Sequence, residues 1–62
     1  MAITKAELLS DIDSSITTAT GKLADILSTG SIDDYEDKNK AYEYIFTIDN
    51  KTNQKTWIEA NL

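Results

Sequence analysis

Tyr42-Glu43-Tyr44-Ile45-Phe46-Thr47-Ile48 is the stretch whose reading decides the fold. At a period of two, Tyr42, Tyr44, Phe46 and Ile48 alternate with Glu43, Ile45 and Thr47, in residue types that favour strands. Asp49-Asn50-Lys51-Thr52-Asn53 follows, with an Asp to open a turn and an Asn for a positive-φ position, which suits a type I turn with a bulge. Lys55-Thr56-Trp57-Ile58-Glu59 then reads as the return strand. This reading predicts a β-hairpin over 42–59. Two strands alone are marginal in water, so the hairpin is expected to pack on a helix. A competing reading runs one helix from Ile32 to Ile48 with Tyr42, Ile45 and Phe46 turned inward, and gives a small all-α helical hairpin. The strand pattern is the closer match, and the fold class it predicts is α+β.

Upstream, the pattern is helical. Thr4 followed by Glu7 fits a capping box, in which the hydroxyl accepts from the Glu7 amide and the carboxylate reaches back, with Ile3 and Leu8 placed as a hydrophobic staple. Leu9, Ile12, Ile16, Ala19, Leu23 and Ile26 then recur in alternating steps of three and four, which draws one apolar stripe along a helix over 4–27. That stripe fits the protein's own core, or a coiled-coil seam between copies. Its centre is weak, because Thr17, Thr18, Thr20 and Gly21 are poor helix formers. The register survives across them, which favours one continuous helix over two hinged near Gly21. Gly30 suits a C-terminal cap in the left-handed conformation. Ser31 is placed to cap a short second helix over 32–40, with Asp33 and Asp34 in its first turn, where negative charge complements the helix dipole.

Composition narrows the function. The chain has 62 residues, enough for one small domain, and eleven acids against six lysines give a net charge of −5. Phosphate backbones and anionic lipid both attract basic faces, so this charge argues against direct nucleic-acid binding and against a membrane surface. No apolar h-region follows Met1, and no signal peptide is expected. There is no cysteine and no histidine, which removes disulfides, thiolate ligands and the usual neutral-pH proton shuttle. Seryl or threonyl attack lacks an orienting base. A chain this short cannot easily build a core and also wall in a substrate pocket. No enzyme activity, no small-molecule substrate, no cofactor and no metal are therefore expected. Asp33, Asp34, Glu36 and Asp37 form an acidic run, but Tyr35 interrupts the alternation that a calcium loop needs and no glycine follows, so a solvated helix start is the better reading. Domains of this size without staples gain stability by self-association or by docking on a larger protein, which predicts a protein partner. The interface candidates are Leu9, Ile12, Ile16, Leu23 and Ile26 on the stripe, with Tyr42, Tyr44 and Trp57 as contact aromatics, the residue types that dominate interface hot spots.

The opening Ala2-Ile3-Thr4-Lys5-Ala6-Glu7-Leu8-Leu9, followed by Ile16-Thr17-Thr18 and a glycine, resembles the starts of small virion proteins of tailed bacteriophages, of the head-to-tail joining or fibre-associated type. A leading helix with a following hairpin is also similar to joining proteins of the phage neck. The resemblance covers the N-terminal half and implies a structural, ring- or trimer-forming subunit in a virion or host cytoplasm, with no catalytic residues to carry over. The expected function is a non-catalytic structural or adaptor protein. The alternative is a small acidic inhibitor that presents Asp11, Asp13, Asp25, Asp33, Asp34, Glu36 and Asp37 to a basic, nucleic-acid-binding surface of another protein.

Overall fold

The computed structural model describes residues 2–62 and contains two helices, α1 (Lys5–Thr29) and α2 (Tyr35–Asn61), joined by a five-residue connector. They pack antiparallel along their length into a rod of 45 × 17 × 17 Å. At the open end the Lys5 ammonium donates to the Leu62 carbonyl at 3.3 Å, so the start of α1 lies beside the end of α2.

The α+β expectation is thus overturned: the described residues contain no strand, and the fold is the helical hairpin that was the alternative. The predicted β-hairpin over 42–59 and the short helix over 32–40 are replaced by one helix that starts at Tyr35 and continues to Asn61. The alternation that suggested a strand has a helical origin. Tyr44 and Ile48 are one helical turn apart and half-buried, while Tyr42 and Phe46, also one turn apart, are exposed. Two such pairs offset by two residues lie on roughly opposite sides of a helix, because each residue advances about 100°. Interleaved, they imitate a period of two.

On α2 the residues turned toward α1 are Asp37, Ala41, Tyr44, Ile48, Lys51, Lys55 and Ile58, all buried or half-buried and spaced in strict steps of four and three. The same steps on α1 bring Leu9, Ile12, Ile16, Ala19, Leu23 and Ile26 to the seam. Matched heptads of this kind let two helices keep one face in contact over many turns. The α1 stripe therefore packs on the protein's own second helix. Among the described residues only Ile12, Ala19 and Ile58 are buried. Ala19, at 5 % exposure, is the small residue of the α1 seam.

The threonine hydroxyls of α2 find partners within the helix. The Thr47 hydroxyl donates to the Glu43 carbonyl at 3.1 Å and the Thr56 hydroxyl to the Thr52 carbonyl at 3.1 Å. Bonding four residues back satisfies the hydroxyl but slightly weakens a helix, so the helical state of α2 rests on its packing against α1.

The ends of the helices depart from expectation in three places. The Thr4 hydroxyl accepts from the Glu7 N–H at 3.1 Å, but it also donates to the Glu7 carboxylate at 3.0 Å, so the carboxylate pairs with the cap hydroxyl. The cap of α2 is Asp34, whose carboxylate accepts from the N–H groups of Glu36 at 2.9 Å and Asp37 at 3.2 Å. Ser31 instead shapes the connector, its hydroxyl accepting from the Asp33 N–H at 3.2 Å. Asp competes well with Ser as a cap, and an ionised carboxylate gains further from the helix dipole.

Gly30 ends α1 at φ −86° and ψ 171°, which is extended and not left-handed. Its requirement is steric. A Cβ there would lie 2.7 Å from the Ile26 carbonyl oxygen, the same atom that accepts from the Gly30 N–H. Gly30→Ala is expected to destabilise the hairpin by about 1–2 kcal/mol, as a strained turn does, measured by urea denaturation.

Gly21 is the opposite case. α1 runs unbroken through it, and a Cβ at Gly21 would meet nothing within 4 Å. Gly21→Ala should raise stability by about 1 kcal/mol, the helix-propensity difference at an exposed interior site. A thermal melt followed by circular dichroism reads this as an upward shift of the midpoint.

Candidate contact surface

α1 and α2 differ in what they turn to water. Outside its seam α1 presents Ser10, Ser14, Thr17, Asp25 and Ser28, all exposed and polar. Leu27, near its C-terminal end, is a large apolar exception, and the helix is otherwise amphipathic in the ordinary one-sided sense. α2 is two-sided. Half a turn from its seam, Tyr35, Asn39, Tyr42, Phe46, Asp49, Asn53, Trp57 and Ala60 form a second stripe, every member exposed. Phe46 is 69 % exposed, and Tyr42 and Trp57 are each 59 % exposed. Ile45, 49 % exposed, flanks the stripe.

Exposed apolar residues scattered singly are ordinary, but four aromatics aligned on one helix face are a patch. The stripe contains a single charged residue, Asp49. Its connector end is held by the Lys38 ammonium, 5.9 Å from the centre of the Tyr35 ring, a cation–π distance.

The expected contact residues divide between these two surfaces. Leu9, Ile12, Ile16, Leu23 and Ile26 are consumed by the intramolecular seam, and Tyr44 joins them there, half-buried. Tyr44 lies near Ser14, Ser15, Thr18, Lys22 and Thr47 in a shallow groove beside Ala19. Tyr42 and Trp57 remain outward. Tyr35 and Phe46 belong with them and were not among the sequence candidates. The signal for them was the spacing of 35, 42, 46 and 57, which shares a face only when the segment is helical.

The acidic residues do not form one row. Asp34 is engaged as the α2 cap, and Asp37 accepts from the Ser31 N–H at 3.1 Å, tying the connector back to α2. Asp13 pairs with Lys55 across the helices at 2.9 Å. Asp11 and Asp25 stand apart on α1. Among the described residues no three acidic side chains converge as metal ligands do. No described helix is long and apolar enough to cross a membrane.

The Lys55–Asp13 pair predicts a specific pH response. The hydrogen bond to Asp13 and its charge, with a smaller contribution from Glu59, raise the Lys55 pKa above the ordinary 10.5. A group whose pKa is higher in the folded chain stabilises it below the unfolded value and loses that effect as pH rises through the folded value. The stability difference between the wild type and Asp13→Asn should therefore hold steady through neutral pH and shrink above about 10.5. Both side chains are partly solvated, so the difference is small at every pH.

Comparison of the chain with protein-family models, with curated proteins and with solved structures finds no match.

Proposed function

We propose that this chain is a non-catalytic structural or adaptor module that works by protein–protein contact through the outer face of α2. The observation that carries this reading is the second aromatic stripe. A lone hairpin gains nothing from aligning Tyr35, Tyr42, Phe46 and Trp57 toward water, whereas an interface uses Tyr, Trp and Phe as its anchors. The thin seam supports the same conclusion, because helices of this length in water depend on packing, and only three side chains among the described residues are buried. A virion subunit, as the N-terminal resemblance implies, is one setting in which such a module would serve.

The inhibitor reading has less support, because the acids are spread over the connector and α1 and several are engaged in caps and pairs.

The test is site-specific photo-crosslinking in living cells, with a photoreactive phenylalanine analogue at position 46 and, as control, at position 10 on the polar exterior of α1. The reading predicts discrete adducts from position 46 and none from position 10. Failure to form an adduct from position 46 would refute it.

A further inference from the structure

We infer that Tyr42–Ile48 is a latent β-strand which α1 holds in helical form, so that opening of the seam releases it to pair with the same segment of other copies.

Local sequence and fold conflict in this segment. Tyr42, Tyr44, Ile45, Phe46, Thr47 and Ile48 are all aromatic or β-branched, Glu43 is the one charge, and neither glycine nor proline interrupts them. Aromatic and β-branched residues lose side-chain freedom in a helix and are among its weaker formers. An uncharged or nearly uncharged run of this length and composition is the kind that stacks as cross-β.

The two conformations also sort the side chains differently. In the helix Tyr44 and Ile48 turn toward α1 while Tyr42 and Phe46 stand in water. In an extended chain successive side chains alternate between faces, so all four fall on one side and Glu43, Ile45 and Thr47 on the other. A strand thus gathers into a single apolar face what the helix divides. Identical strands paired in register set each aromatic beside its counterpart and bury that face between copies. α1 has no equivalent: its uncharged run Ser14–Gly21 contains Ile16 as its one large apolar residue.

The hold on the segment is light. A helix with weak intrinsic preference depends on packing, and the packing of 42–48 on α1 runs through Tyr44, Thr47 and Ile48, all only half-buried. The buried side chains Ile12, Ala19 and Ile58 lie outside it. The seam therefore acts as a latch. Closed, it keeps 42–48 helical; opened, it leaves the local preference for strand to decide.

The test uses Ile12→Ala in the full chain, which removes a buried seam residue without touching the segment. The concentrated protein is incubated and followed by circular dichroism, thioflavin T fluorescence and sedimentation velocity. The expected result is loss of the helical minima, their replacement by a single β minimum, a rise in dye fluorescence and a shift to large assemblies. Adding Phe46→Lys places a charge in the middle of the strand's apolar face and abolishes the β signal. Adding Leu27→Lys makes the same kind of exchange at a side chain of matching exposure, 74 % against 69 %, and leaves assembly intact. If Ile12→Ala keeps its helices, the wild type held at its thermal midpoint takes its place, with the same two lysine variants. An opened chain that stays soluble and disordered at high concentration overturns the inference. So does β-assembly that survives Phe46→Lys, or that Leu27→Lys suppresses as fully, because either result detaches assembly from 42–48.

Discussion

Ile12→Ala is expected to lower stability by about 2–4 kcal/mol, the usual cost of emptying a buried aliphatic site. Ile12 is 5 % exposed and is one of three buried side chains among the described residues, so no second layer of core can collapse into the space. Small domains have only a few kcal/mol of stability in total. The variant should consequently be largely unfolded at room temperature when dilute. Far-UV circular dichroism reads this directly as loss of helix. A variant that melts within a few degrees of the wild type would show that the seam is not what holds the hairpin together.

The second large effect is expected at Ala19, by the opposite mechanism. Ala19 is equally buried and lies on the seam where α1 meets the middle of α2. Ala19→Leu adds volume at a buried seam position, and overpacking of this kind costs about 1–3 kcal/mol. Helix propensity does not offset the loss, since Leu is no better than Ala in a helix. Urea denaturation should show a lower midpoint. The same substitution at an exposed position such as Thr17 should leave the midpoint nearly unchanged. Equal effects at positions 17 and 19 would contradict the assigned seam.

The first helix was legible in the sequence and the second was not, for identifiable reasons. On α1 every seam position is aliphatic, so the alternating steps stand out against a polar background. On α2 the same steps fall on Asp37, Lys51 and Lys55, which an apolar count passes over. Lysines hold such positions by laying their methylenes along the seam and carrying the charge outward, as Lys55 does toward Asp13. At the same time the outer stripe adds aromatics with helical spacing of their own. Two superposed helical patterns gave an apparent strand alternation over 42–48. The segment after Gly30 contains neither glycine nor proline, so nothing in it ends a helix once Asp34 has started one. That absence was the better guide than the β-favouring residues, whose preference depends on context.

The candidate site was half legible. Tyr42 and Trp57 were identified by residue type alone, and both are exposed on the outer stripe. Tyr44 was grouped with them for the same reason, yet it faces α1. Residue type indicates which side chains suit an interface. The face on which each one lies follows from the secondary structure, and for α2 that assignment changed which aromatics belong together.

The central claim is that 42–48 is helical, with one face turned to α1 and the other to solvent. Because the chain has no cysteine, single cysteines placed in turn at positions 42 to 48 can each be labelled uniquely by a thiol reagent in the dilute, folded protein. The two-faced helix predicts fast labelling at 42 and 46 and slow labelling at 44 and 48. Matching rates at 42, 44, 46 and 48, set against a different common rate at 43, 45 and 47, would be the signature of a strand and would contradict the fold and the contact surface together.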